Sequence, residues 1–267
     1  MHRWRVGQVD IVRIEDEDFA LPSPRPVPPW AVPDLAPTRD QVGVAFSAFA
    51  LADADRRLVV DPWLANDFPR SAADADARVE RLLADLDAAG FPADSVDTVV
   101  NTHFDGVGWN TRPSPGSPDG WTATFPHARY LYPRAELEAW RDGRHPTGDS
   151  GFGPLERQGQ LEAVDPPQSL TPDIRLVDAP GHADGHLAVR VESGGSLAVI
   201  PGHLFLTPFQ VADPTEAADV DPTVATRTRR SLLDDLADHD GLLLTNLLGG
   251  PGGGVVRRQG SAYALRT

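Results

Sequence analysis

Histidine and aspartate residues stand in this sequence at points where apolar segments end. His103 and Asp105 lie in NTHFDGVGWN, residues 101–110, and His182 and His203 each follow a glycine after an apolar run. Such runs predict buried strands, and strand ends at one edge of a sheet lie close together. Imidazole nitrogen binds zinc, iron and copper, and His-x-Asp adds an oxygen donor from the same loop. These four side chains are the predicted metal ligands, and His103 and Asp105 are also the predicted catalytic residues.

The chemistry of such a site depends on whether a metal is present. One divalent metal, zinc or iron, would polarise a substrate carbonyl and lower the pKa of a bound water towards about 7. If no metal binds, His103, Asp105 or His182 would act as a general acid or base. His186 opens a strand, and we expect it to brace the preceding turn through a hydrogen bond. The remaining histidines are expected to be terminal or solvated: His2, His127, His145 and His239.

The first half of the chain must position His103. Alternating apolar residues predict a strand over 6–14, and 42–51 with 56–63 predict a hairpin around ADAD. Residues 71–89 predict an amphipathic helix with Ser71 as its cap and Gly90 as its stop. Its apolar stripe is Val79, Leu82, Leu83 and Leu86. The run SVDTVVNTH then predicts a buried strand that delivers the His103 loop at its carboxyl end.

The second half repeats this logic around His182 and His203. DIRLVDAPGH predicts a strand, and HLAVRVESGGSLAVIPGH predicts a hairpin around Ser193-Gly194-Gly195. Residues 222–241 predict a helix that ends at Gly241, and LLLTNLLGG predicts the last strand. Two half-domains of mixed β and α structure, stacked face to face in a single domain over 1–267, fit this order.

Aromatic residues and one arginine are candidates for binding a substrate. Trp109 and Arg112 follow the His103 loop, and Phe205 follows His203. Trp30 lies in the proline-rich segment 19–37, which predicts either a surface loop or a lid over a pocket. Arginine could bind a substrate carboxylate through two parallel hydrogen bonds. Core or loop packing is the alternative for each aromatic residue, and simple exposure is the alternative for Arg112.

Composition restricts the classes of function. The 267 residues are 40% hydrophobic and carry a formal net charge of −15, with 24 arginines and no lysine. Because an acidic chain repels phosphates, a nucleic-acid partner is not expected. The absence of cysteine excludes disulfides, thiolate nucleophiles and Cys-ligated metals. No apolar run of about 18 residues is present, so we expect a cytoplasmic protein without a membrane partner.

Five segments together resemble the metallo-β-lactamase-fold hydrolases, near the branch that contains quorum-signal lactonases. They are VVDPW (59–63), DTVVNTHFDGVGWN (97–110), FPHARYLYPRAELEAW (125–140), DAPGHADGHLAVRVESGG (178–195) and VIPGHLFLTPFQVADP (199–214). The resemblance runs from about residue 40 onward and implies an α/β fold, an αββα sandwich of the metallo-β-lactamase type. It also implies an active site at one edge of the two sheets.

The metal motif departs from that family. The family pattern H-x-H-x-D-H is reduced to THFDG, so that Gly106 replaces its last histidine and Asp105 replaces either its aspartate or its second histidine. His203 stands in place of the bridging aspartate, and Leu247 in place of the final histidine. A dinuclear site, with metals about 3.5–4 Å apart, would lack most donors of its second metal. The resemblance therefore implies at most one metal, a precedent being the single iron of persulfide dioxygenases.

These observations predict an enzyme that acts on a small-molecule ester, lactone or thioester. Two alternatives stay open. One is a non-hydrolytic enzyme of secondary metabolism: a mononuclear iron oxidase or oxygenase, a cyclase, a lyase or an isomerase. The other is a metal-free binding protein or pseudoenzyme with a degenerate site. A homodimer is an open alternative to a monomer. A bound metal, found by metal analysis, would distinguish the two enzymes from the metal-free binding protein. Zinc would indicate the hydrolase, and redox-active iron would indicate the non-hydrolytic enzyme.

Overall fold

The computed structural model describes residues 1–22, 41–63, 72–104, 108–117, 120–144, 152–215 and 219–267. The chain forms two compact units. The first unit comprises Met1–Trp4, Asp10–Asp16 and Ser47–Asp165. The second unit comprises Arg5–Val9, Glu17–Phe46 and Pro166–Thr267. The single domain expected from the sequence stays a prediction.

Strands dominate the described residues. The strands up to residue 164 are β1 (His2–Val6), β2 (Val9–Pro22), β3 (Gln41–Asp53), β4 (Arg56–Val60), β5 (Thr98–Val100), β6 (Thr111–Pro113), β7 (Trp121–Ala123), β8 (Arg129–Pro133) and β9 (Leu161–Val164). Those that follow are β10 (Gln168–Ser169), β11 (Ile174–Asp178), β12 (Leu187–Ser193), β13 (Ser196–Ile200), β14 (Leu242–Leu244), β15 (Gly253–Gln259) and β16 (Ala262–Arg266).

The helices are short apart from two of 17 residues each. They are α1 (Ala72–Ala88), α2 (Arg134–Arg141), α3 (Gly153–Arg157), α4 (Phe209–Ala212) and α5 (Pro222–Asp238), with 3-10 turns at Ala93–Ser95 and Gly202–Leu204. Among the described helices, none has the length and apolar character needed to cross a membrane.

Two seven-stranded sheets organise these elements. One has the order β1-β2-β3-β4-β5-β8-β9 and the other the order β10-β11-β12-β13-β14-β15-β16, while β6 and β7 pair separately. Strands β4, β5 and β8 are mutually parallel neighbours. In the second sheet β11 and β13 each pair antiparallel with β12, and β14 is parallel to β13. Because β11, β13 and β14 run in one direction, the loops after them leave the same edge of their sheet.

Several predicted elements of the first half are confirmed. Strands β3 and β4 form the expected hairpin, and SVDTVVNTH contains the short buried strand β5. Helix α1 buries Val79, Leu82 and Leu86, with Leu83 partly buried against the same cluster. Gly90 ends it at φ +95°, and the N–H groups of Gly90 and Phe91 donate to Asp87 and Leu86 at 2.9 and 3.0 Å. The predicted cap Ser71 lies outside the described residues.

Two predictions near the N-terminus are wrong in detail. The single strand expected over 6–14 is divided, because the chain turns at Gly7 with φ +58° between β1 and β2. An added Cβ at Gly7 would lie 2.3 Å from the Ser193 carbonyl oxygen, so only glycine fits there. Strand β2 continues to Pro22, four residues into the segment expected to be a loop or lid, and proline at a strand end costs no ladder hydrogen bond. Residues 23–37 of that segment lie outside the described residues.

In the second half the hairpin β12–β13 turns at Gly194 and Gly195 as predicted. Helix α5 begins at Pro222, where the Asp221 carboxylate accepts from the N–H groups of Thr223 and Val224 at 3.0 Å each. The stop expected at Gly241 is corrected: the helix ends at Asp238, and Asp240 takes the left-handed conformation at φ +51°. Gly241 is needed for a different reason, since an added Cβ would lie 2.6 Å from Leu236 Cδ2.

LLLTNLLGG is not the last strand of the chain. Only Leu242–Leu244 is extended, and β15 and β16 follow it. Both later strands mix arginines with apolar residues, so their sequence does not show a buried run. The glycines that open β15 sit against backbone: an added Cβ at Gly253 would lie 2.3 Å from the Leu243 carbonyl oxygen.

Each unit has its own apolar core. The core of the first unit is rich in aromatic side chains: Phe91, Phe104, Trp109, Phe125, Tyr130, Tyr132 and Phe152. The core of the second unit is mostly aliphatic and surrounds α5 and the sheet: Val199, Leu204, Phe205, Leu233, Leu236, Leu243, Leu248 and Val256 among others. These cores hold rigid the strands whose ends carry the histidines.

Candidate metal centre

His182 lies in the turn that joins β11 to β12. The turn is fixed by glycine, since Gly181 has φ +121° and an added Cβ there would lie 2.2 Å from the Ala225 backbone nitrogen. The Asp221 N–H donates to the Gly181 carbonyl at 2.9 Å, which holds the turn against the start of α5. The His182 side chain is 15% exposed, and its Nδ1 is 3.2 Å from Asp219 Oδ1. One nitrogen of the ring is therefore held by a carboxylate.

His203 lies directly after β13, in the 3-10 turn Gly202–Leu204. Gly202 has φ +55°, which glycine adopts without strain. The residue is 5% exposed, and its ring centroid is 5.8 Å from that of His182 with the ring planes at 78°. Because β11 and β13 end at one edge of the sheet, two histidines separated by 21 positions are brought together within the second unit.

His186 serves the turn rather than the ligand set. Its Nδ1 is 3.1 Å from the Ala179 carbonyl oxygen, so Nδ1 carries the proton and donates it. Burial holds the pKa of His186 well below its ordinary value, and the neighbouring His182 and His203 lower it further. The neutral ring stacks edge-on against His182 at 5.6 Å between centroids. The predicted bracing hydrogen bond is confirmed.

His103 lies just beyond β5 and is held by its own unit. Asp61, fully buried at the end of β4 with φ +49°, accepts from the Thr102 N–H at 2.7 Å and from the Thr102 hydroxyl at 2.9 Å. That hydroxyl donates its only proton to Asp61. It therefore accepts a hydrogen bond from His103 Nδ1 at 3.2 Å. The lone pair of the neutral His103 ring is then on Nε2. The Trp63 ring packs edge-on against the imidazole at 4.6 Å between centroids.

Each unit supplies imidazole nitrogens that could bind a metal. His182 and His203 lie together in the second unit, and His103 lies in the first. His103 and His203 are buried and His182 is half-buried. Imidazole nitrogens suit zinc, iron or copper and do not suit magnesium or calcium, which prefer oxygen. The chemistry of these donors therefore fits a transition metal.

The remaining site residues of the sequence prediction have different positions. Asp105, Gly106 and Trp30 lie outside the described residues. Trp109 is fully buried in the first core, with its ring 5.7 Å from Phe125, and Phe205 is fully buried in the second core. The Arg112 side chain is 42% exposed and lies 3.8 Å from Glu80. Leu247 is buried and offers no donor atom.

Sequence reasoning missed the polar residues that hold the histidines. Asp219 and Arg229 contact His182 and the segment of His203, and Thr102 with Asp61 holds His103. Asp219 precedes α5 and Arg229 lies inside it, so neither belongs to a strand end. The helical spacing of α5 was a usable signal, because it places Arg229 on the same buried face as Ala225 and Leu233. An arginine on an apolar helix face requires a buried carboxylate as its partner.

Several solved structures share the fold of this chain. A hydrolase of the beta lactamase superfamily, AbOPH, is 18% identical with TM-score 0.74, over 99% of this chain and 96% of its own. AidC, a dizinc quorum-quenching lactonase, is 18% identical with TM-score 0.71, over 99% of this chain and 96% of its own. A probable metal-dependent hydrolase from Staphylococcus aureus is 18% identical with TM-score 0.73, over 98% of this chain and 99% of its own.

The class of fold follows from these likenesses: the chain has the mixed α/β fold of the metallo-β-lactamase superfamily. No protein-family model matches the sequence, and no curated protein matches it. At such low identity the shared fold does not transfer an activity, which has to be argued from the site.

Proposed function

We propose that this protein is a metal-dependent hydrolase of small-molecule esters, lactones or thioesters, and that it uses at most one metal ion. His103, His182 and His203 would hold the metal, with Asp105 as a fourth ligand or a base. The observation that carries the proposal is the pair His182 and His203 at one sheet edge of the second unit, with ring centroids 5.8 Å apart. The fold adds support, since the solved structures described above include hydrolases and a dizinc lactonase.

The residues of this chain would prepare the site before any substrate arrives. Thr102 and Asp61 orient His103, and Asp219 orients His182. His186 is kept neutral by burial, so no positive charge accumulates beside the ligands at neutral pH. A bound metal supplies Lewis acidity towards a substrate carbonyl and towards water. Rigid support of this kind places the reacting groups without further reorganisation.

The test is hydrolysis of an aryl ester, a thioester and a γ-lactone by protein purified without chelator. Turnover that disappears on chelation and returns with Zn²⁺ supports the proposal. Metal assistance is worth several kcal/mol, so His103→Ala and His182→Ala should each lower kcat/KM at least ~100-fold. His239→Ala is the matched control, because that side chain is 61% exposed and pairs only with Asp235 among the described residues. Activity indifferent to chelator in all variants would overturn the proposal.

Within this proposal we expect weak hydrolysis of acyl-homoserine lactones, although the neighbour AidC is a lactonase of the dizinc type. Leu247 is buried and apolar where the resemblance places a histidine ligand. A paired metal centre is therefore not available to activate the nucleophile. The measurement compares an acyl-homoserine lactone with the ester and thioester at equal concentration. Robust lactonase turnover that is lost on chelation would show that the missing donors are dispensable.

A non-hydrolytic iron enzyme is the second candidate, because imidazole suits iron as well as zinc and His203 stands where the resemblance expects an aspartate. Reconstitution with Fe²⁺ under anaerobic conditions, followed by exposure to oxygen, separates the two candidates. Oxygen consumption dependent on Fe²⁺, without ester turnover by the zinc form, would favour the iron enzyme.

A further inference from the structure

A buried ion pair lies directly behind the candidate metal ligands of the second unit. The side chains of Asp219 and Arg229 are both 0% exposed. Arg229 Nη2 donates to Asp219 Oδ1 at 2.7 Å, and Nη1 donates to Asp219 Oδ2 at 3.0 Å, so the pair is bidentate. Burying both charges is costly, and such a pair is often no more stable than apolar residues of similar volume. A contribution to folding stability therefore does not explain why this ion pair is present.

The carboxylate of this pair also contacts His182. Asp219 Oδ1 lies 3.2 Å from His182 Nδ1. A carboxylate paired with a guanidinium only accepts hydrogen bonds, so Nδ1 must carry the proton. The lone pair of the imidazole is then on Nε2. This is the arrangement in which a carboxylate fixes the tautomer and orientation of a metal-binding histidine.

The guanidinium of the same pair contacts the segment that carries His203. Arg229 Nε donates to the carbonyl oxygen of Leu204, the residue after His203, in a short hydrogen bond. Nη1 also lies 3.4 Å from the Pro214 carbonyl oxygen. One buried side chain from α5 thus links the carboxylate behind His182 with the backbone beside His203. The two histidines belong to different loops, and this link fixes both without a metal.

We propose that Asp219 and Arg229 are positioning residues that set the His182 tautomer and hold the His182 and His203 loops in the geometry for metal binding. The inference rests on the proposed function, because it assigns a role towards the proposed ligands. Residues of this kind touch neither substrate nor reacting atoms. They act through the histidines, and their loss costs metal affinity by roughly 10–100-fold.

The experiment replaces both charges together, with Asp219→Leu and Arg229→Met in one variant. Removing one partner alone would leave a buried charge and risks unfolding, whereas a paired apolar replacement is often neutral for stability. The expected result is a zinc Kd raised ~10–100-fold by calorimetric titration. The metal-free chain supplies the second readout, by ¹⁵N NMR of the imidazoles. His182 should be protonated on Nδ1 in the wild type and should lose that preference in the variant.

The matched control is Asp16→Leu with Arg78→Met in the first unit. That pair is also buried, with side chains 1% and 9% exposed, and Asp16 accepts from Arg78 and from Arg81. It should leave zinc affinity and the His182 tautomer unchanged. Equal losses in both double variants would overturn the proposal, because the effect would then be general loosening. A folded Asp219→Leu and Arg229→Met variant with wild-type affinity would also overturn it.

The NMR readout separates this inference from the proposed function. If wild-type protein binds no zinc or iron, the proposed function fails, yet the metal-free tautomer of His182 still decides the role of Asp219. A wild-type His182 protonated on Nε2 overturns the inference even if the double variant does not fold. Protonation on Nδ1 that is lost in the variant supports it.

Discussion

His203 is buried in the second unit, with its ring 5.8 Å from that of His182. If it is a ligand, His203→Ala should shrink the rise in melting temperature that Zn²⁺ gives. At a metal concentration about 100 times Kd the metal adds about 2.7 kcal/mol, or about 5–10 °C, and loss of a ligand should remove most of it. Thermal melting with Zn²⁺, with anaerobic Fe²⁺ and with chelator makes the measurement. Identical metal-dependent shifts in wild type and variant would show that His203 only packs at the strand end.

Two buried tyrosines give a second prediction at the residue scale. The Tyr130 hydroxyl accepts from the Phe125 N–H at 2.8 Å, whereas the buried Tyr132 hydroxyl has no hydrogen-bond partner among the described residues. Tyr130→Phe should therefore cost about 1–3 kcal/mol of unfolding free energy, while Tyr132→Phe should be neutral or stabilising by about 1 kcal/mol. Urea unfolding at neutral pH gives both values. A large loss in Tyr132→Phe would reveal a partner for its hydroxyl.

Tyr130 and Tyr132 contribute to the alkaline stability together with Tyr263, whose pKa is raised by burial and by its hydrogen bond to Asp234. Burial raises the pKa of Tyr130 and of Tyr132 above the ordinary value, and neighbouring Tyr130, Asp61 and Glu136 raise that of Tyr132 further. Above pH ~10 the unfolded chain releases protons that the folded chain retains, so stability is full below that pH and falls as pH rises. Each tyrosine contributes a slope of up to about 1.4 kcal/mol per pH unit. The chain has no lysine or cysteine, so tyrosine is the side chain that titrates there.

The control for this pH dependence is the phenylalanine variant itself. Tyr132→Phe should remove the contribution of one tyrosine to the fall of unfolding free energy with pH. Urea unfolding at pH values from about 9 to 11 measures this fall. A slope equal to that of the wild type would contradict the buried, protonated state of Tyr132.

At the scale of elements, the turn from β11 into His182 depends on the approach of Gly181 to α5. Gly181 has φ +121° and would place a Cβ 2.2 Å from the Ala225 backbone nitrogen. Gly195, in the β12–β13 turn, has φ +80° with open space around its Cβ. Gly195→Ala should cost about 1–2 kcal/mol from backbone conformation alone. Gly181→Ala should cost more than about 3 kcal/mol and should also weaken zinc binding.

Chemical denaturation and zinc titration of the two alanine variants make this comparison. Gly195→Ala controls for the strain of a left-handed residue, so the excess loss in Gly181→Ala measures the contact between turn and helix. Equal losses of unfolding free energy in the two variants would contradict that contact. An unchanged zinc Kd in Gly181→Ala would show that the conformation of this turn does not affect metal binding.

At the scale of the whole molecule, we expect no more than one transition metal per chain. Leu247 is buried and provides no donor, and His203 stands where the resemblance expects a bridging aspartate. Elemental analysis of protein purified without chelator and washed of loose ions gives the stoichiometry. A value near two per chain would refute the single-metal proposal. Gly106→His and Leu247→His together would restore donors where the resemblance expects them, and should raise the stoichiometry above that of the wild type.

Much of this molecule was determined by its sequence alone. Strong periodicity and glycine turns predicted α1, the hairpins β3–β4 and β12–β13, and the strands that lead to the histidines. The order of the quoted motifs predicted the metallo-β-lactamase fold, which the solved structures confirm. The departures at Leu247 and His203 were also visible in the sequence, because each is a change of residue type at a position set by local motifs.

Only the tertiary structure decided which residues hold the ligands and which aromatic residues are core. The sequence left Trp109 and Phe205 as either pocket or core residues, and both are fully buried in the core clusters. Asp219 and Arg229 are separated from His182 by 37 and 47 positions, and no local pattern links them. The division of β1 from β2 depends on the contact of Gly7 with Ser193, which is 186 positions away in the sequence. Local propensity acts over a few residues, whereas these contacts exist only once packing has brought remote segments together.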